Sequence, residues 1–184
     1  MDRRRFLLAA GGLALAGCST PGVKLDVPFV STPHEVVEAM LVLAKVGSND
    51  LVYDLGCGDG RFVIAAAQEF GARGVGIDID PARIAEANAA AQSEGVADRV
   101  RFVQQDLFTV DLSPATVVTL FLLPELNDRL APTLKRELRP GARIVSHRWS
   151  IRGWPPDESI VVDVDEVRHE AFLWVVRKRS GAQR

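Results

Sequence analysis

Apolar and polar positions along this chain follow two rhythms. Val36, Val37, Met40, Leu41 and Ala44 recur at helical spacing. They follow Thr32-Pro33-His34-Glu35, in which Thr32 can cap a helix, Pro33 suits a first turn and Glu35 completes the capping spacing. Gly47 is the expected stop. Leu51 to Leu55 then reads as a short apolar strand, running into Gly56-Cys57-Gly58-Asp59-Gly60. Phe62, Val63, Ala66, Ala67 and Phe70 mark a second helix. Gly74 to Asp78 predicts a second strand, and Asp80-Pro81 caps a third helix carrying Ile84, Ala87 and Ala91. Three more strands are predicted over Val100–Val103, Thr116–Leu122 and Gly141–Ser146, with a helix from near Pro124 to about Leu138 before the last of them. Repeated strand–helix units predict an α/β fold with a parallel, doubly wound sheet. The end breaks that rhythm. Ser150 to Glu158 holds Gly153, Pro155 and Pro156 and reads as a loop. Val162 to Asp165 alternates and Phe172 to Val176 is continuously apolar. Two strands with no helix between them predict an antiparallel edge.

The N-terminus changes how the composition is read. The 184 residues are 47% hydrophobic and 25% charged, enough for one domain with a real core. Arg3, Arg4 and Arg5 precede Phe6 to Ala16, an uncharged run too short to cross a bilayer as a helix. Arg3-Arg4-Arg5-Phe6-Leu7 resembles a twin-arginine export signal, and Leu15-Ala16-Gly17-Cys18 a bacterial lipobox. The expected organisation is a signal peptide over 1–17, a linker over 18–27 and a domain over 28–180. Acylated Cys18 would anchor the chain to a membrane without a spanning helix. The alternative is an internal start codon and a cytoplasmic protein. Without residues 1–17 the chain loses three arginines and one aspartate. Its 22 Lys+Arg and 24 Asp+Glu fall to 19 and 23, and the net charge moves from −2 to −4. That balance argues against a nucleic-acid partner. Two cysteines make no disulfide framework, and three histidines without paired spacing argue against a zinc site.

The glycine loop carries the candidate chemistry. Gly56, Gly58 and Gly60 lie between a strand and a helix, where bare backbone and a helix N-terminus suit an anionic or nucleoside ligand. The dinucleotide fingerprint starting at Gly56 would need glycine at 61, where Arg61 stands, and no Gly-Lys-Ser/Thr is present. Asp54-Leu-Gly56-Cys-Gly58-Asp-Gly60 instead resembles the first motif of class I S-adenosylmethionine methyltransferases. In that resemblance Asp78, 20 residues after Gly58, takes the ribose hydroxyls. Asp106, with Gln105 beside it, takes the adenine amino group, and Asp54 orders the loop and the methionine ammonium. Each acid alone also reads as a helix cap or a solvated turn.

A wider stretch sharpens the resemblance. Pro28-Phe29-Val30-Ser31-Thr32-Pro33, Asp54 to Gly60, Val117 to Leu123 and Arg143-Ile144-Val145-Ser146-His147 are similar to small archaeal, bacterial and mitochondrial protein-lysine methyltransferases. The resemblance implies a Rossmann-like, seven-stranded sheet, mostly parallel with an antiparallel edge strand. It implies S-adenosyl-L-methionine as cofactor, a lysine in a protein as substrate, and Phe29 to Pro33, with Phe29 and Thr32, closing over the cofactor's amino-acid end. Arg148 stands after Ser146-His147 where bacterial members carry an acid. The attacking amine must be neutral, yet free lysine has a pKa of about 10.4. Glu125 is the candidate proton acceptor and His147 a second one. Glu125 also reads as a first-turn acid favouring its helix dipole, and His147 as a hydrogen-bonded structural histidine. A small-molecule methyltransferase and an exported, non-catalytic cofactor-binding lipoprotein are the rival readings.

Overall fold

The computed structural model describes residues 31–178. The proposed signal, the linker and Phe29 lie outside the described residues. Five parallel strands, β1 (Leu51–Leu55), β2 (Arg73–Asp78), β3 (Val100–Gln104), β4 (Val117–Leu120) and β5 (Arg143–His147), form the body of one sheet. A hairpin of β6 (Glu158–Val164) and β7 (Val167–Val175) completes it, in the order β3-β2-β1-β4-β5-β7-β6. β7 alone runs antiparallel to the body, between β5 and β6, so β6 at the edge points the same way as the five body strands. Its two-residue turn, Asp165-Glu166, has φ of 48° and 64°, the left-handed pair that lets a tight hairpin follow the strand twist.

The sheet order reverses at β1 and β4, so the carboxyl ends of these strands diverge and leave a crevice between their loops. Helices α1 (His34–Leu43), α2 (Arg61–Phe70) and α3 (Pro81–Ser93) cover one face. Their core includes Met40, Leu41, Val63, Ala66, Val52 and Val117. Helix α4 (Pro124–Glu137), the 107–115 segment and the loop residues Ile151 and Trp154 cover the other, around Leu120, Leu130, Leu134, Ile144 and Trp174. A single 3-10 turn, Leu107–Thr109, replaces a helix between β3 and β4, and Ser150 to Asp157 is a loop as expected.

Two helix boundaries differ from the sequence expectation. Thr32 does not cap α1. Pro33 is the residue before the helix, and the Thr32 hydroxyl faces His147 instead. Nor does Gly47 end that helix. Lys45 takes the left-handed turn at φ 52°, with Val46 N–H on Leu41 O at 3.0 Å and Lys45 N–H on Val42 O at 2.8 Å. This is the Schellman closure with lysine where glycine is usual. Asp80 does cap α3, its Oδ1 accepting from Ala82 N–H at 2.8 Å.

Candidate active site

The loop after β1 is built by glycine geometry. Gly60 precedes α2 at φ 82°, and a Cβ there would meet Phe102 Cε1 at 2.5 Å. Any side chain would therefore be both strained and blocked. The amides of Gly56 and Cys57 donate to Ile77 O at 2.8 and 2.9 Å, tying the loop to the end of β2. Gly58 N–H donates to Asp78 Oδ2 at 2.9 Å, and Asp80 N–H to Asp78 Oδ1 at 2.9 Å. Both Asp78 oxygens are thereby aimed while keeping lone pairs for a ligand.

A cleft opens at the carboxyl ends of the strands. Thr32, Asp54, Gly56, Asp78, Gln105 and Asp106 line it, together with Ile79, Leu107, Phe108, Phe121, Leu122 and Leu126. Gly58 and Gly60 shape the loop without lining the cleft. Gln105 Nε2 donates to Thr109 O and Oγ1, each at 3.1 Å, and Asp106 Oδ1 accepts from Phe108 N–H at 2.9 Å. Asp106 is thus a cap of the 3-10 turn as well as a cleft residue. Glu125 does not line the cleft. It stands exposed on the first turn of α4, one residue before the lining Leu126. His147 does not line it either. It is buried behind Thr32 and Phe121, whose ring lies 4.2 Å from the imidazole.

Electrostatics single out Asp54. Its side chain is 3% exposed and accepts one side-chain hydrogen bond, from Thr119 Oγ1 at 2.7 Å. Burial, with the charges of Asp78 and Asp59 added, pushes its pKa up to about 7 despite that bond. Burial likewise pushes the Cys57 thiol far above its ordinary value, helped by Asp54 and Asp78. That leaves Cys57 a packing residue and not a nucleophile. For His147, burial comes first and the charges of His169 and Arg148 second, lowering the pKa to about 4.

Residues 54–158 match the ANTKMT methyltransferase domain family. Over 151 residues the chain is 49% identical to a protein-lysine N-methyltransferase of Saccharolobus islandicus (strain REY15A), covering 82% of this chain and 94% of that protein. The chain belongs to the ANTKMT methyltransferase family. It is also 33% identical over 145 residues to the adenine nucleotide translocase lysine N-methyltransferase of Mus musculus, covering 79% of this chain and 63% of that one. A crystal structure of an RNA methyltransferase from Salinibacter ruber, in complex with S-adenosyl-L-homocysteine, matches with a TM-score of 0.77 and 47% identity. The match covers 84% of this chain and 98% of that chain.

This ANTKMT-family chain is therefore an S-adenosyl-L-methionine-dependent methyltransferase of the class I fold. Its cleft fits that cofactor on chemical grounds. The crevice pairs apolar walls, Ile79, Leu107 and Phe108, with a row of carboxylates on successive strand ends. A base and ribose need the first, and ribose hydroxyls and a cationic amino-acid end need the second.

Three members of this site carry little signal in the sequence. Arg61, which stands out there only as a missing glycine, forms an ion pair with Asp59 and donates from Nη1 to Thr32 O at 2.5 Å. It ties the glycine loop to the segment before α1. Thr119 supplies Asp54's hydrogen bond; a lone hydroxyl in Val117-Val118-Thr119-Leu120 was the available signal. His169 lies on β7 against His147, and nothing in its local sequence marks that pairing.

Proposed function

We propose that this enzyme transfers the methyl group of S-adenosyl-L-methionine to a lysine side chain of a protein. The supporting observation is 49% identity spread over 94% of a protein-lysine N-methyltransferase. S-adenosyl-L-methionine supplies an activated methyl on a sulfonium, so the protein's task is to hold two reactants in line and keep the amine neutral. Asp78 would hold the ribose hydroxyls, and Gln105 and Asp106 the base. Asp54, Gly56, Gly58 and Gly60 would hold the amino-acid end, with Phe29 and Thr32 covering it. Strand order supports this assignment, since the nucleoside residues lie at the ends of β3 and β2 while Asp54 and Phe121 lie at the ends of β1 and β4.

Glu125 is the proposed acceptor for the lysine proton. Its exposed position beside the cleft-lining Leu126 suits a proton passed to solvent from an incoming substrate. Both ring nitrogens of His147 lie within hydrogen-bond reach of neighbours, so His147 serves this reading as a structural partner. Exposed Leu123 and Trp149, after β4 and β5, offer an apolar rim to a polypeptide. The residues over 1–17 and Cys18 are proposed as an export signal and a lipid attachment point, with an internal start as the alternative. Diacylglycerol found on Cys18 by mass analysis of the native N-terminus decides between them. Among the described residues no helix is long and apolar enough to cross a membrane.

Incubation with methyl-labelled cofactor and cell extract tests the substrate class. The expected label is protease-sensitive and recovered as methyl-lysine after acid hydrolysis. Label that is removed by ribonuclease, as the Salinibacter relative's name suggests for that protein, overturns the reading.

A further inference from the structure

Thr32 is held from two sides. Its carbonyl accepts from Arg61 Nη1 at 2.5 Å, and its Oγ1 lies 3.1 Å from His147 Nδ1. On its other side, His147 Nε2 lies 3.0 Å from His169 Nδ1. A chain of three side chains therefore runs from β7, through the buried end of β5, to the wall of the cleft. Burial keeps the His147 ring neutral at ordinary pH. A neutral imidazole has one donor nitrogen and one acceptor nitrogen, so the chain has two polarities. In one, His147 Nε2–H donates to His169 and the Thr32 hydroxyl hydrogen points inward to Nδ1. In the other, His169 Nδ1–H donates to His147 Nε2, and His147 Nδ1–H donates to Thr32 Oγ1. The Thr32 hydroxyl hydrogen is then no longer used on His147, and Thr32, though only 2% exposed, is part of the cleft wall.

The surroundings favour the second polarity. This side of the cleft is rich in acceptors, the Asp54 and Asp59 carboxylates among them. Arg61 is engaged by Asp59 and the Thr32 carbonyl. A ligand carboxylate entering here gains most from a hydroxyl donor that is already oriented.

We propose that His147 and His169 are positioning residues that orient the Thr32 hydroxyl to donate to the carboxylate at the cofactor's amino-acid end. The proposal rests on the reading of the Thr32 side of the cleft as that end.

Adenosine lacks the amino-acid end that S-adenosyl-L-homocysteine carries, so binding of the two separates this role from general folding support. Thr32→Val is expected to weaken S-adenosyl-L-homocysteine about tenfold to a hundredfold, the scale of one hydrogen bond to a charged group, and to leave adenosine unchanged. Thr32→Ser restores the affinity. His147→Phe reproduces the selective loss, and His147→Asn, with an amide near the Nδ1 position, recovers part of it. The Thr32 pair keeps the test independent of any folding defect in the His147 variants. In the complex, 15N NMR is expected to show His147 protonated at Nδ1. Equal weakening of both ligands by Thr32→Val, no weakening of either, or a bare Nδ1 overturns the proposal. Wild-type protein that binds adenosine as tightly as S-adenosyl-L-homocysteine overturns the reading of the amino-acid end itself, and the proposal with it.

Discussion

Strand β1 has an aspartate near each end, and the two have opposite fates. Asp50, just before β1, accepts from Thr116 Oγ1 at 2.7 Å and Gly47 N–H at 2.9 Å, and forms an ion pair with Arg143. Arg143 also donates to Ala44 O at 3.0 Å and Lys45 O at 3.1 Å, which joins the turn after α1 to β5. Burial acts to raise the Asp50 pKa, but the Thr116, Arg143 and Gly47 hydrogen bonds outweigh it and the pKa falls. Asp54 sits at the other end and has the corresponding threonine, Thr119, from β4, the strand that Thr116 leads into. What it lacks is an arginine of its own. Arg61 is paired with Asp59, so burial dominates and the pKa rises to about 7. One end of the sheet is electrostatically complete. The other is left wanting a positive charge, and it is the end where the cleft opens.

The largest effect should come from the completed end. Arg143→Met leaves Asp50 charged and partly buried, and should cost about 3 kcal/mol in urea unfolding. Affinity for S-adenosyl-L-homocysteine should stay at its wild-type value under native conditions. A loss of affinity comparable to the loss of stability would erase the distinction between the two ends.

Asp54→Asn should do the reverse. Binding of S-adenosyl-L-homocysteine weakens by about 2 kcal/mol, the scale of a hydrogen bond to a charged group. Folding should not suffer. Because the folded-state pKa of Asp54 is raised above its ordinary 3.8, the folded protein holds a proton that the unfolded chain releases. Its contribution to stability is fully present below about pH 4, is lost as pH rises towards 7, and stays level above that. The stability difference between Asp54→Asn and wild type should therefore grow in favour of the variant from pH 4 to 7 and then flatten. Unfolding curves at pH 4, 5.5, 7 and 8 check the sign. A difference that shrinks over that range would mean that Asp54 is stabilised as a carboxylate.

A smaller change sharpens the comparison at the completed end. Lys45 occupies a left-handed turn that glycine adopts freely, and its carbonyl is one of Arg143's acceptors. Lys45→Gly should raise stability by about 1 kcal/mol in thermal unfolding if only the backbone conformation matters. No gain would mean that the lysine side chain contributes as much as its strained backbone costs.

Legibility followed the same division. Among the described residues, periodicity located the four helices and the five body strands to within about three residues, because each carries its own pattern of apolar side chains. The hairpin strands begin four and five residues earlier than expected, at Glu158 and Val167, where the residues are mostly polar and exposed. The glycine loop and the strand-end acids Asp54, Asp78 and Asp106 were legible because backbone geometry forces glycine and the strand order brings those ends together. Boundary errors arose where a tertiary contact displaced a local rule. Thr32 had the right spacing for a cap, yet its hydroxyl meets a histidine 115 residues away. Gly47 had the right composition for a stop, yet Lys45 takes the turn. The pairing of Asp50 with Arg143, 93 positions apart, leaves no local trace either. Glu125 was legible as an acid near the end of β4, but which side of α4 it occupies depends on how that helix packs, and the structure leaves it outside the cleft lining.

The claim that the cleft end awaits a cation is tested most directly by counting protons on binding. Calorimetry of S-adenosyl-L-homocysteine at pH 7, in two buffers of different ionisation enthalpy, gives that number. The ligand's ammonium should draw Asp54 towards its carboxylate form. Wild-type protein should then release a measurable fraction of one proton per ligand, and Asp54→Asn should release less by that fraction. Identical proton counts for the two proteins, or net uptake by wild type alone, would contradict the account.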